Sequence, residues 1–216
     1  MTPENQPPTV ALEDRMRDAA KLYSPSAARN REPVRAVLAE RLRDNARVLE
    51  IGSGTGEHGE ACCAARPDIA WQFTEIDPES LASCAARAAE MDGLLPPLRL
   101  DAGSPGWVDG IEPVDALVCL NVIHIAPWPV AEGLASGAAR LVNPGGFVFL
   151  YGPFLDGERT APSNLAFDAS LRQRNPAWGV RPIGTVTDLF TKNGLALDER
   201  IEVPANNLAL IFRRAA

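Results

Sequence analysis

Histidine and lysine are scarce in this chain, with two of each in 216 residues. Neither Lys21 nor Lys192 lies beside a glycine-rich segment, which argues against Schiff-base or pyridoxal-phosphate chemistry built on a lysine amine. The four cysteines, Cys62, Cys63, Cys84 and Cys119, form no C-x-x-C pair and no Cys/His ladder with zinc spacing, so no metal site is expected. Three of them sit in alanine-rich or aliphatic runs, where cysteine behaves as a small hydrophobe; reduced thiols and a cytoplasmic protein are expected. No apolar run is long enough to cross a bilayer, and the polar, proline-rich first ten residues do not read as a signal peptide. Neither G-x-x-x-x-G-K-[ST] nor G-x-S-x-G occurs. Basic residues are in deficit, 21 Lys+Arg against 28 Asp+Glu for a net charge of −7, and only Arg213 and Arg214 are adjacent. Such a chain repels phosphate, so no nucleic-acid partner is expected.

What is present suits one domain of ordinary size. Hydrophobic residues make up 46% and charged residues 23%, and a chain this long buries about 70% of its unfolded surface. Residues 1–23 read as an arm, loose over Met1–Pro8 and with a possible short helix over Leu12–Tyr23; the domain proper spans 24–216. Ser24-Pro25 has the form of a helix N-cap and first helical residue, and Pro33 predicts the start of a second helical stretch carrying Val34, Val37, Leu38 and Leu42 on one face.

From Arg47 onward strands alternate with helices. The predicted strands are 48–51, 69–76, 98–101, 114–122 and 147–151, with helices to Arg66, over 79–91 and over 129–141, and a turn at Asn143-Pro144-Gly145-Gly146. Alternation of this kind implies an α/β fold, a parallel sheet with helices on both faces. The ending differs: a helix over 185–192, a strand over 195–203, a turn at 204–206 and a strand over 207–213 must form an antiparallel pair. Segment 155–181 has no clear period and reads as a lid or a small helical insertion.

The loop after the first of these strands has two readings. Gly54-x-Gly56-x-x-Gly59 satisfies the dinucleotide fingerprint by letter. Glu50 with Gly52, Gly54 and Gly56 satisfies acidic-x-Gly-x-Gly-x-Gly, which resembles the first motif of the S-adenosylmethionine-dependent methyltransferases with a Rossmann-like sheet. A carboxylate at a strand end suits a cationic ligand, an ammonium or a sulfonium, better than the pyrophosphate of a dinucleotide. Asp77, after the second strand of the alternation, is placed to accept both ribose hydroxyls, or alternatively to cap the helix that Pro78 opens. Asp101, after the third, is placed for an adenine amino group or for closing a turn.

The resemblance extends through Ser24–Pro33, Asn121–Trp128, Leu150–Phe154, Ser163-Asn164, Phe167–Arg172, Pro176–Gly179 and Pro204–Asn207. These segments are similar to a group of uncharacterised methyltransferase-like proteins, the relatives of methyltransferase-like protein 26, long classed as a domain of unknown function. One departure is Gly52, where that group leads one to expect alanine. The resemblance implies a class I fold, a seven-stranded mostly parallel sheet with one antiparallel strand. It implies S-adenosylmethionine as cofactor, held by Glu50, Gly52, Gly54, Gly56, Asp77, Asp101 and Asn121, and it implies no substrate.

Sites in open parallel sheets lie beyond the carboxyl ends of the strands. That rule makes His124, Asn121 and Tyr151 the candidate catalytic residues. Trp128, Phe154, Asn164, Asp168, Arg172, Trp178, Asn206 and Asn207 become candidates to line the space for a small-molecule acceptor. Each has a plainer reading: Asp168 and Arg172 are four apart and suit a helical ion pair, the tryptophans suit packing, and His124 suits a hydrogen-bonded core position. His58 is expected on an exposed helix surface. The expected activity is methyl transfer to a small molecule, with a non-catalytic cofactor binder, then an NAD-linked oxidoreductase, as alternatives.

Overall fold

The computed structural model describes residues 12–214. The first structure met is a hairpin, β1 (Met16–Asp18) against β2 (Lys21–Tyr23), turning at Ala19 with φ of 51°. This corrects the expectation of a helix over Leu12–Tyr23. Leu12, Met16, Ala20 and Tyr23 fall at helical spacing, but Met16 stays exposed in the hairpin, and the buried Leu22 is tied by its N–H to Ser83 Oγ at 2.9 Å. The loose arm expected over Met1–Pro8 lies outside the described residues.

Helix α1 (Pro25–Ala39) is capped by Ser24, whose hydroxyl accepts the N–H of Ala27. Pro33 lies inside α1 and does not begin a new helix. A proline costs one backbone bond there, and burial of Ala27, Val34 and Leu38 along one continuous face offsets the loss. The alternation follows: β3 (Arg47–Ile51), α2 (Glu57–Ala65), β4 (Ala70–Glu75), α3 (Pro78–Ala88), β5 (Leu94–Arg99), β6 (Val114–Leu120), α4 (Trp128–Leu141) and β7 (Val142–Gly152). β5 starts earlier than predicted because Pro96 and Pro97 are tolerated on an edge strand. The Asn143–Gly146 turn bulges out of β7, where pairing with β6 jumps from Val114–Val142 to Ala116–Phe147. β8 (Phe154–Leu155), a 3-10 turn (Gly157–Arg159), α5 (Pro162–Arg174), β9 (Arg181–Pro182), α6 (Ile183–Lys192), β10 (Leu195–Val203) and β11 (Asn207–Arg214) complete the chain.

The main sheet has the order β10-β11-β7-β6-β3-β4-β5. Strands β3 to β7 are mutually parallel, and β11, inserted between β7 and β10, runs antiparallel to both. β6 (VDALVCL) is buried at every position, as a central strand covered on both faces must be. The period of two along each strand divides the core. Leu49, Leu117, Val148 and Leu210 face α4 and α6; Val48, Trp71, Phe73, Val118 and Phe149 face α1, α2 and α3. The segment 155–181 contributes α5, which buries only Asn164 and Leu171. All four cysteines are free and buried.

Candidate cofactor and acceptor site

The sheet order reverses between β3 and β6, and the glycine loop leaves β3 beside that point. Gly52, Gly54 and Gly56 have φ of 68°, 56° and 83°, the left-handed region that glycine adopts without strain. A Cβ on Gly52 would meet Val122 Cγ2 at 2.5 Å, and one on Gly56 would meet Arg87 Cδ at 3.0 Å. A Cβ on Gly54 would meet nothing within 4 Å. Two of the three glycines are therefore required by the protein's own packing, while Gly54 borders open space where a ligand can approach the backbone. Gly59 is required by packing as well, since a Cβ there would sit 2.5 Å from Phe73 and 2.6 Å from Trp71.

Beside Gly54 stands a carboxylate that sequence reasoning missed. Glu75, the last residue of β4, accepts the Gly54 N–H on Oε2 at 2.8 Å and the Ile76 N–H on Oε1 at 2.8 Å. Asp77, two residues on, is turned into the helix: Oδ2 accepts Ser80 N–H at 2.9 Å and Ser80 Oγ–H at 2.7 Å, an N-cap on α3. The acid at the end of the strand is Glu75, and Asp77, the acid expected to meet a ribose, takes up the alternative expected of it, the cap on α3. The signal available was the strand end itself, hidden by a second acid two positions later. Next to Glu75, Ile76, Arg99, Leu100, Asp101 and Ser104 line an open cleft of about 440 Å³. Asp101 borders it while closing its own turn onto Gly103 N–H and Ser104 Oγ.

Glu50 is 1% exposed and accepts the Trp71 indole N–H at 3.0 Å. Burial pushes its carboxyl up to about 7, against the pull of that hydrogen bond. Asn121 directly follows β6 with φ of 59°, and its N–H donates to Tyr151 O at 2.8 Å. His124 is buried, its ring edge-on to Phe154 with centroids 5.3 Å apart. Gly152 makes room for it, because a Cβ there would collide with the imidazole. Neither ring nitrogen has a hydrogen-bond partner among the described residues. Burial, helped by the nearby Arg181 guanidinium, drops the His124 pKa to about 3. The expectation of a hydrogen-bonded core histidine is thus corrected.

Tyr151 ends β7, buried, and its hydroxyl accepts Asn207 Nδ2–H at 3.1 Å. His58 is buried against α1, its Nε2 2.9 Å from Asn30 Oδ1, where an exposed position was expected. α2 packs against α1, so the face that carries His58 points inward. The acceptor-side candidates separate into several groups. Asn164 donates to Asn206 O at 3.0 Å and Asn206 donates to Ser163 Oγ at 2.9 Å, a latch between α5 and the β10–β11 turn. Asp168 pairs with Arg172 at 2.9 Å and also accepts Val180 N–H. Trp128 lies under Arg181, 5.5 Å from ring centroid to guanidinium. Trp178 is half-buried, its N–H on Asn175 O.

A family model described as a protein of unknown function, DUF938, matches residues 21–214. The chain belongs to that family. Among curated proteins, this DUF938 chain is 28% identical over 121 residues to the highly reducing polyketide synthase PKS6 of Gibberella zeae, covering 52% of this chain and 5% of that one. Among solved structures it is similar to an O-methyltransferase family protein from Burkholderia thailandensis (16% identical, 88% of this chain and 57% of that one, TM-score 0.75). Human N-acetylserotonin methyltransferase in complex with S-adenosylmethionine is similar too (17%, 88% and 53%, TM-score 0.71). So is an O-methyltransferase family 2 protein from Planctomyces limnophilus in complex with apigenin (18%, 88% and 60%, TM-score 0.72). The chain spans little more than half the length of these structures. The likeness establishes the fold, the Rossmann-like class I methyltransferase fold with its one antiparallel strand. Among the described residues no helix is long and apolar enough to cross a membrane.

The buried titratable groups set a pH dependence of stability. His58 is held near 4 and His124 near 3, both below the ordinary 6.5. Their stabilisation is complete above about pH 6.5 and is lost on acidification, as the unfolded chain takes up protons that the folded chain refuses. Glu50, raised to about 7, acts in reverse: its contribution is complete below about 4.5 and is lost as pH rises toward 7. Two groups oppose one, so the melting temperature is expected to fall between about pH 6.5 and about pH 4.5. Removing the His124 imidazole should flatten that decline; a rise in melting temperature over the same window would contradict the burial argument.

Proposed function

We propose that this protein is a cytoplasmic S-adenosylmethionine-dependent methyltransferase for a small-molecule acceptor, akin to methyltransferase-like protein 26. The observation that carries the reading is the open approach at Gly54 beside the Glu75 carboxylate, at the reversal of a sheet whose inserted antiparallel strand is β11. The fit to an adenosyl cofactor is chemical. Glu75 Oε2 keeps a lone pair for one ribose hydroxyl beyond the Gly54 N–H, and a second hydroxyl would displace the long 3.3 Å bond from the Asp77 N–H on Oε1. The cleft between Ile76 and Leu100 offers apolar walls for adenine, with Asp101 at its rim. Gly52, Gly54 and Gly56 give the backbone its close approach, and Glu50 supplies a carboxyl that an adjacent ammonium would draw toward its charged form. The S-adenosylmethionine complex of human N-acetylserotonin methyltransferase, on the same fold, supports the choice of cofactor.

Bound there, the cofactor supplies a methyl group already activated on a sulfonium. What remains for the chain is positioning and the exclusion of water. Asn121 and His124 follow β6, next to the strand that carries the glycine loop, Tyr151 lies near the end of β7 one strand further on, and together they orient the acceptor. His124, neutral throughout the physiological range, is suited to hydrogen bonding and poorly matched to general-base work, which favours a pKa near the operating pH. Calorimetry tests the reading: S-adenosylmethionine or its demethylated product should bind and NAD should not. Tight NAD binding without S-adenosylmethionine binding overturns it. Consumption of cofactor with a metabolite extract then separates an enzyme from a binder.

A further inference from the structure

Thr55 lies between Gly54 and Gly56 in the glycine loop, and three buried side chains hold it. Each of the three also holds the segment that leads into α1. Ser83 Oγ donates to Thr55 O at 2.8 Å and accepts the Leu22 N–H at 2.9 Å. Arg87 donates from Nε to Thr55 O at 2.9 Å and from Nη2 to Leu22 O at 2.8 Å. Glu57 Oε2 accepts the Thr55 hydroxyl at 2.8 Å and the Ser24 N–H at 2.8 Å. All three are shut off from water, Ser83 at 0%, Arg87 at 1% and Glu57 at 2% exposure. Moving Thr55 without Leu22 and Ser24, or the reverse, would strand buried donors and acceptors, and a stranded buried group costs more than a made bond returns. Loop and segment are therefore mechanically one unit.

Residues 12–24 have the build of a strap. At one end Leu12 O accepts the Arg174 Nη1–H of α5 at 3.4 Å, and Glu13 accepts the Ser26 N–H at the start of α1 at 3.0 Å. Between these points the hairpin lies on α3. Arg15 Nη1 donates to Ser80 Oγ at 2.8 Å, Arg17 pairs with Glu79 at 3.2 Å and Lys21 pairs with Glu90 at 2.6 Å. The carboxylates of both ion pairs are exposed, and such pairs hold weakly. β1 buries nothing, and Leu22 is the one buried side chain of β2. A hairpin of two three-residue strands is not stable alone. Its order depends on Leu22 and the three bridges to Thr55, which places it at the low end of local stability.

We infer that residues 12–24 are a strap coupled to the cofactor through Thr55, an inference that rests on the methyltransferase reading of this site. A cofactor that orders the glycine loop at Gly54 closes the strap, and an open strap weakens the hold on the cofactor, since coupling between two sites is reciprocal. Leu22, Ser83 and Arg87 are positioning residues that act through the Thr55 backbone.

Hydrogen exchange on the whole chain, with and without saturating S-adenosylhomocysteine, reads the coupling in one direction. In the free protein the Leu22 and Ser24 amides should exchange by local opening, faster than those of β6. The ligand should slow them about tenfold or more. Amides of β10, at the far edge of the sheet, that exchange at similar rates in the free protein should keep those rates. Leu22→Ala reads the other direction: it trims the strap's anchor and leaves all three bridging side chains in place. Its affinity for S-adenosylhomocysteine, by calorimetry, should fall about fivefold or more, while Met16→Ala, at an exposed position on β1, should bind as wild type. A merely structural anchor would lower the melting temperature of Leu22→Ala and move neither affinity nor ligand-dependent exchange. Strap amides that keep their free rates in the bound protein, or wild-type affinity in a folded Leu22→Ala, overturn the inference. If Leu22→Ala does not fold, the wild-type exchange decides alone. Failure of the methyltransferase reading looks different, because the wild-type protein then takes up no S-adenosylhomocysteine. The link between strap and loop is still decided by the Gly56 amide, which donates to Ser53 O at 2.9 Å: faster exchange of that amide in Leu22→Ala supports the link, and an unchanged rate overturns it.

Discussion

Glu75→Ala is expected to lower affinity for S-adenosylmethionine by about 100-fold or more, the largest cofactor-side effect of any single substitution. A carboxylate accepting two hydroxyl hydrogens contributes about 1.5–3 kcal/mol for each bond, and the pair together corresponds to about 10²–10⁴ in affinity. The same change strips the Gly54 N–H of its acceptor, leaving the Ser53–Thr74 bonds to hold the loop against β4. Glu75→Gln keeps an acceptor oxygen for one of these partners and should fall between. Asp77→Ala provides the contrast. It removes the α3 N-cap on Ser80 and should cost about 0.5–2 kcal/mol of stability with cofactor affinity changed by no more than a few-fold. Calorimetry and thermal melting on the same variants separate the two. Lost affinity in Asp77→Ala with Glu75→Ala unaffected would return the ribose role to Asp77.

The confusion between those two acids shows which parts of the site can be read from residues in order. Alternating apolar strands, the acidic-x-Gly-x-Gly-x-Gly loop and the helix-strand-turn-strand ending are local patterns, and the sheet with β11 inserted between β7 and β10 follows from them. Strand ends are set within one or two residues by pairing with neighbours. Glu75 and Asp77 could not be told apart until the cap on Ser80 claimed one of them. Contacts distant in sequence were hidden altogether. His58 looked like surface because α2 alone has no strong apolar stripe; α1, some thirty residues earlier, covers it and supplies Asn30. Leu12–Tyr23 was expected as a possible short helix, yet residues 16–23 form a hairpin docked on α3 through Leu22 and Ser83. Asn164 and Asn206, 42 positions apart, could be read in sequence only as two separate candidates, and the bond from Asn164 Nδ2 to Asn206 O that joins them was not visible there.

His124→Phe is expected to leave folding and cofactor binding intact while slowing acceptor-dependent cofactor consumption by about 10²–10⁴, the scale of a lost positioned polar group. The imidazole lies against Phe154 and Gly152 in an apolar setting, with both nitrogens unpartnered among the described residues. A buried polar atom without a partner costs about 1–3 kcal/mol. Evolutionarily idle nitrogens at this position would therefore be a pure loss, and phenylalanine, of similar shape, should hold or raise the melting temperature. The alanine variant is less informative, since a cavity beside Phe154 destabilises whatever the nitrogens do. If the imidazole orients the acceptor, His124→Phe weakens apparent acceptor affinity or the maximal rate with no gain of a pH-dependent step. A folded-state pKa near 3 means that this ring does not titrate between about pH 6 and about pH 8, so the wild-type pH–rate profile should show no limb that His124→Phe removes. If the residue only fills space, the phenylalanine variant turns over as fast as wild type and melts at or above its temperature, and the positioning role is lost. Asn121 and Tyr151 then remain as the polar groups at the carboxyl ends of β6 and β7, joined by the Asn121 N–H to Tyr151 O bond that locks the two strand ends together.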